Sequence, residues 1–158
     1  MILWGRGGGK PLALFESGAI LVYLAEKAEK FLPLSNPYEM LQWLMFQMGG
    51  TGPMFGQLGY FHAFAGKEIE APRPKERYRE KAERLLKVLE KALDGRDWIA
   101  GEYSIADIAI CPWLSALRDF CKAADLVGWN DLRQVAAYLD RFLARPAVQK
   151  GLVIPSTP

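Results

Sequence analysis

Histidine is almost missing from this sequence: among 158 residues there is one, His62. A His-based metal centre or a serine-type triad needs partners that a lone His62 does not have, so neither is expected. Cysteine is nearly as scarce. Cys111 and Cys121 lack the C-x-x-C spacing and any framework of pairs, and neither stands at a helix start beside a cation. Two structural thiols in a reducing, cytoplasmic setting are the expectation. No apolar run approaches the ~20 residues of a membrane span, and Met1-Ile2-Leu3-Trp4 is too short for a secretory leader. An excess of one charge is also absent. Twenty Lys and Arg face eighteen Asp and Glu, a net +2, and the signs are interleaved. Charge therefore gives no reason to expect a nucleic acid or a membrane as partner.

Apolar residues are plentiful, at 51% against 24% charged, a globular composition. Gly5 to Lys10 reads as an exposed glycine-rich loop. A phosphate loop is excluded there, because Pro11 and a strand follow where Ser or Thr and a helix are required. Leu12 to Phe15 has strand length. From Glu16-Ser17 a helical pattern places Ile20, Leu21, Leu24, Ala25 and Ala28 on one face, and runs out near Leu32-Pro33. Ser35-Asn36-Pro37 restarts helix with a capping residue and a first-turn proline. Gly49-Gly50-Thr51-Gly52-Pro53 then kinks or ends that helix.

The clearest helix spans about Pro74 to Leu93, with Tyr78, Ala82, Leu85, Leu86, Leu89 and Leu93 as its apolar stripe. Its other face offers Glu80 to Arg84 and Glu83 to Lys87. Ser104-Ile105-Ala106-Asp107 forms a capping box with Asp in the usual Glu or Gln place, and Tyr103 and Ile108 occupy the staple positions. Pro112 should bend the helix that follows. A last helix runs from about Asp131 to Leu143, and the tail from Ile154 is expected to be unstructured. One strand and about five helices make a mainly α protein.

Glu16-Ser17 is the chemically suggestive pair. Free amides at a helix start, with a serine hydroxyl, suit a carboxylate, and Glu16 beside them suits an ammonium group. Together they fit a zwitterionic amino-acid head. Simple capping by Ser17, with Glu16 favoured by the helix dipole, explains the two residues as well.

The run Leu14-Phe15-Glu16-Ser17-Gly18-Ala19-Ile20-Leu21-Val22-Tyr23-Leu24 resembles the strand-to-helix junction of glutathione transferases. Gly101-Glu102-Tyr103-Ser104-Ile105-Ala106-Asp107 is similar to that family's capping signature. Gly49 to Gln57 looks like the bacterial nu-class branch, whose members often reduce disulfides with glutathione. The resemblance implies a helical C-terminal bundle over 36–152, preceded in 1–32 by a strand-helix remnant of a thioredoxin-like domain. It implies glutathione as co-substrate, held by Glu16 and Ser17 with Arg84 approaching, no metal, and an electrophile or disulfide as second substrate near Met54, Phe55, Gln57, Tyr60 and Phe61; core packing accounts for those five residues as well, and an ion pair with Glu80 accounts for Arg84. Capping by Ser104 and Asp107 is structural. The family's thiol-activating segment and cis-proline cannot be placed in this sequence, so the catalytic residue is unknown and the chain is expected to be catalytically incomplete. With its strand unpaired, it is expected to associate as a homodimer. A non-catalytic dimerisation or docking domain is the alternative.

Overall fold

A computed structural model describes residues 2–4 and 11–154, with side chains from Pro11 onward. The chain opens on a two-stranded antiparallel ribbon. Strand β1 (Ile2–Trp4) pairs with β2 (Pro11–Ala13) in the register Ile2 to Ala13, Leu3 to Leu12 and Trp4 to Pro11. This corrects the expectation of one unpartnered strand at Leu12 to Phe15. The partner is Ile2–Trp4, a segment too short to stand out as a strand by pattern. The Gly5 to Lys10 loop lies outside the described residues, as does the tail from Pro155.

Helix α1 (Ser17–Ala28) follows, and Asn36 restarts the helical course by accepting from the Glu39 amide at 3.4 Å, with Pro37 behind it. Helices α2 (Pro37–Phe46) and α3 (Gly52–Ala63) are not separated by the glycine cluster. A π-helical turn over Gln47–Thr51 joins them, in which the Gly52 amide bonds to the Gln47 carbonyl five residues back. The physical reason is Pro53, whose missing N–H breaks the ordinary four-residue ladder. A second π-helical turn, Ala116–Phe120, ends the run of α5 (Ile105–Ser115) after Pro112, and there the Cys121 amide bonds to the Ala116 carbonyl at 2.8 Å.

Helix α4 (Pro72–Ala92) is the longest element and carries two prolines in its first turn, where no amide is needed. Ala82, Leu85, Leu86 and Leu89 are buried as the stripe requires, and Leu93 just beyond is buried too. Leu44 from α2, Ile110 and Leu114 from α5, and Val135, Tyr138 and Leu139 from α6 (Arg133–Leu143) belong to the same core. Full burial of each such side chain stabilises by roughly 1.5–3 kcal/mol. On the outer face of α4, Arg79 pairs with Glu76 and with Glu83. Glu83 is thus engaged one turn back rather than forward with Lys87. Pro146 ends α6 and starts the short helix α7 (Pro146–Leu152). The fold is mainly α-helical, with α1 packed against α5 and the segment after α1 tied to the bundle. One tie is the Ile105 amide, which donates to the Phe31 carbonyl at 3.1 Å.

Candidate functional site

Where β2 hands over to α1, Glu16 takes the cap position with φ 66 and ψ 119, a sparsely populated conformation for a residue with a side chain. Ser17 is therefore the first residue inside the helix. Its hydroxyl makes no capping bond, and instead points to the Met48 sulfur at 3.8 Å. The first intrahelical bond at this end runs from the Ile20 amide to the Glu16 carbonyl at 3.0 Å. The amides of Ser17, Gly18 and Ala19 precede it and have no intrahelical acceptor. Simple capping by Ser17 is thus not what the local geometry uses the hydroxyl for.

The helix start faces the π-helical turn. A Cβ on Gly18 would come within 3.1 Å of the Met48 side chain, so glycine is what leaves room for that thioether against the helix. Gly52, at the end of that turn, leaves room for the Gln47 side chain, since a Cβ there would sit 2.6 Å from Gln47 Nε2. Between them lies a cleft of about 370 Å³, lined by Ser17, Gln47, Met48, Gly52, Gln57 and Trp113 among others. The indole of Trp113 covers Gly52 and Gly56. Gln47 is 4% exposed and its Oε1 has no hydrogen-bond partner; Thr51, one turn on, is fully buried with its hydroxyl likewise unpartnered. Leaving such groups unpaired costs ~1–3 kcal/mol each, and since Gln47 lines the cleft, a ligand or water that donates to its Oε1 is favoured there.

Of the residues flagged in the sequence, Ser17 and Gln57 come together at this cleft, and Glu16, next to Ser17 along the chain, is exposed without lining it. Phe55 does not line it: at 2% exposure it is part of the bundle core. Met54 packs against that core, and Tyr60 stands edge-on to Phe61 with ring centroids 5.1 Å apart. Arg84 lies exposed on α4 and does not line the cleft. Gln47, Met48 and Trp113 were missed. A glutamine inside an apolar helical stripe, separated by one residue from the Gly49-Gly50 pair, was the signal for the first of them.

The remaining chemical candidates are structural. Ser104 Oγ accepts from the Ala106 amide at 3.3 Å, and Asp107 accepts from the Ser104 amide at 2.7 Å, closing the capping box. Asp107 also accepts from the Ile99 amide and from the Tyr138 hydroxyl. Burial pushes its carboxyl above the ordinary carboxylate range, and the four donors pull it partly back. Burial likewise pushes the Cys111 thiol and the Tyr138 hydroxyl well up, which keeps Cys111 unreactive. Cys121 is also free and buried. His62 is half-buried, with Nε2 3.4 Å from the Lys122 carbonyl. Among the described residues no group of His, Cys, Asp and Glu is arranged to hold a metal, and no helix is long and apolar enough to cross a membrane.

A helical bundle carrying this junction and this cap matches the model of the glutathione S-transferase C-terminal domain over residues 53–146. The chain belongs to the glutathione transferase family, in its nu-class-like branch. It is 51% identical over 149 residues to the disulfide-bond oxidoreductase YfcG of Escherichia coli, covering 92% of this chain and 66% of that protein. To YghU of the same organism, also a disulfide-bond oxidoreductase, it is 37% identical, covering 93% of this chain and 52% of that protein. Among solved structures, a glutathione transferase of Pseudomonas putida with one glutathione disulfide bound per subunit is 58% identical. The two superpose with a TM-score of 0.93, over 96% of this chain and 66% of that one. One from Burkholderia graminis with two glutathione molecules per subunit is 55% identical, with a TM-score of 0.92, over 98% and 65% of the respective chains. The chain thus spans from about half to two thirds of the length of these relatives.

Proposed function

We propose that the cleft at the start of α1 binds the γ-glutamyl end of glutathione, and that the protein works in glutathione-dependent disulfide reduction or conjugation. Residues 1–32 then act as the closing part of a thioredoxin-like domain and 36–152 as the helical domain. The free amides of α1 and the Ser17 hydroxyl take the carboxylate, and Glu16 takes the ammonium. The observation that carries this reading is the Ser17 hydroxyl: it stands at the helix start unused by any cap. The cramped backbone of Glu16 supports it, because strain in a non-glycine residue tends to persist at ligand-holding positions. Gln57 and Trp113 line the same cleft, which supports a second-substrate contact there.

In disulfide reduction a glutathione thiolate attacks one sulfur of the substrate disulfide, and the other leaves as a thiolate that takes a proton. A second glutathione thiolate then attacks the mixed disulfide, releasing glutathione disulfide and the second substrate thiol. The cleft residues bind and orient the amino-acid head; none of them is a cation or an acid-base pair set to activate the thiol. Turnover of chlorodinitrobenzene or hydroxyethyl disulfide by this chain alone is therefore expected to be absent.

An NMR titration with glutathione tests the anchor. Shifts should cluster at Ser17 to Ala19, with millimolar affinity, about 4 kcal/mol. Glu16→Ala should weaken it. Shifts confined to other elements, or untouched by that substitution, would sink the proposal. Phe15, Tyr38 and Met45, at 80%, 81% and 52% exposure, favour an additional homodimer contact. Light scattering that gives a monomer at all concentrations would remove that second reading.

A further inference from the structure

Met48 stands in the first π-helical turn with its thioether laid along the start of α1. A Cβ added to Gly18 would meet the Met48 Cε, Cγ and Sδ atoms at 3.1, 3.3 and 3.3 Å, so the side chain packs directly on that glycine. The Ser17 hydroxyl donates to the sulfur at 3.8 Å. Met48 is half-buried and lines the cleft, which leaves it within reach of a small solute. The other described methionines are placed differently. Met40 belongs to the core, Met54 packs against it, and Met45 is exposed on α2; none of the three lines this cleft.

A thioether is a weak acceptor. Its hold on the Ser17 hydroxyl gives way to a carboxylate, which accepts the same donor far more strongly. Oxidation reverses that order. A methionine sulfoxide carries a polar oxygen on the sulfur, in place of an apolar thioether. Added on the lone pair that faces Ser17, this oxygen comes between the two side chains and accepts the hydroxyl. The amides of Ser17, Gly18 and Ala19, free of intrahelical acceptors, belong to the same turn, and that end of the helix favours negative charge.

We propose that Met48 is an oxidation site, and that its sulfoxide closes the anchor by occupying, from within the chain, the donors that a ligand carboxylate would take. The inference rests on the reading of this cleft as a glutathione site. The oxidant is a peroxide. Hydrogen peroxide transfers one oxygen to the sulfur as its O–O bond breaks and an S–O bond forms, and its other oxygen leaves as water with both protons. The sulfur is oxidised and the peroxide reduced, each by one electron pair. Peroxide thus disconnects the chain from glutathione without removing any wall of the cleft.

The test treats the full chain with hydrogen peroxide at a dose that converts the exposed Met45, and reads methionine methyl and backbone amide signals by NMR. Met48 should convert as well. The Ser17 to Ala19 amides should then shift, and the shifts that glutathione induces there should be lost. Methionine sulfoxide reductases for both sulfoxide epimers should restore them. Met45→Leu should respond as the native chain does, whereas Met48→Leu should keep its own glutathione affinity through the treatment. Met48→Gln, with a carbonyl acceptor at similar reach, should weaken glutathione binding with no peroxide added. An unconverted Met48, full glutathione binding by the sulfoxide, or an equal loss in Met48→Leu overturns the proposal. Shifts that spread to Leu85, Ile110 and Leu139 also overturn it, by showing that oxidation loosens the bundle. If the untreated chain gives no glutathione shifts, the reading of the cleft fails on its own. The modification is then decided by the Ser17 to Ala19 amides: shifts present in the native chain and absent from Met48→Leu uphold it, and shifts in both or neither overturn it.

Discussion

Two buried polar clusters in this molecule have opposite characters. At the start of α5, Asp107 is fully buried and its carboxylate accepts from the Ile99 amide, the Ser104 amide, the Ser104 hydroxyl and the Tyr138 hydroxyl, at 3.0, 2.7, 3.1 and 2.8 Å. At the π-helical turn, Gln47 and Thr51 are equally buried, yet Gln47 Oε1 and the Thr51 hydroxyl have no partner. The first cluster joins the loop before α5, the helix itself and α6, and every group in it is used for the fold. The second adds nothing to the fold by its polar atoms and lies against the strained Glu16-Ser17 junction. Satisfied polar burial marks what holds this protein together, and unsatisfied burial marks where it is built to meet something else.

The largest effect should come from removing the hub of the first cluster. Asp107→Ala leaves four donors without an acceptor and should cost roughly 3–5 kcal/mol, well beyond a lost cap, read as a denaturant midpoint. A milder form of the same experiment is pH. Because burial raises the folded-state pKa of Asp107, the folded chain binds the proton more strongly than the unfolded one. The stability this group contributes is then present at low pH, and falls as pH rises from the unfolded value through the raised folded one. Melts of the native chain referenced to Asp107→Asn should show the difference shrinking over that window. A difference that grows with pH would mean that the four donors outweigh burial.

Ser104→Ala should cost ~1 kcal/mol, and combined with Asp107→Ala it should cost less than the sum, since the two residues share bonds. Glu90 supplies a comparable cap from a distance. Its carboxylate accepts from the Gln134 and Val135 amides at 2.9 and 2.8 Å, at the start of a helix with no cap of its own. Glu90→Ala should also lose about 1 kcal/mol. The second cluster predicts the reverse sign. Glu16→Gly relieves the positive φ and should leave stability unchanged or raise it by up to ~1 kcal/mol, while glutathione binding weakens. Thr51→Val, near-isosteric and without a bond to lose, should shift the midpoint by no more than about 0.5 kcal/mol in either direction. A loss of several kcal/mol there would place Thr51 in the fold-holding class and break the contrast.

The helical bundle was legible because its signals are local. The stripe from Tyr78 to Leu93 and the caps at Asn36 and Ser104 follow from side-chain periodicity and from hydrogen bonds within a turn, and the elements stand there within one or two residues. The Glu-Ser junction was legible for the same reason. The ribbon at Ile2–Trp4 was not, because three residues carry no readable alternation and the partner strand is not adjacent along the chain. Phe55 looked like a cleft residue because an aromatic segment has no inherent inside; packing against the bundle decided that it belongs to the core.

The sequence by itself determined which segments are helical, where they are capped, and that an acid and a hydroxyl meet at a helix start. Those properties depend on neighbours a few residues away, within reach of one turn. Tertiary structure alone decided what those groups face. It brought Gln47 and Trp113 from two other helices to Ser17, and set Glu90 under a helix more than forty residues distant. Such juxtapositions arise when helices pack by burying their apolar stripes, and the polar residues that packing brings together leave no periodic trace along the chain.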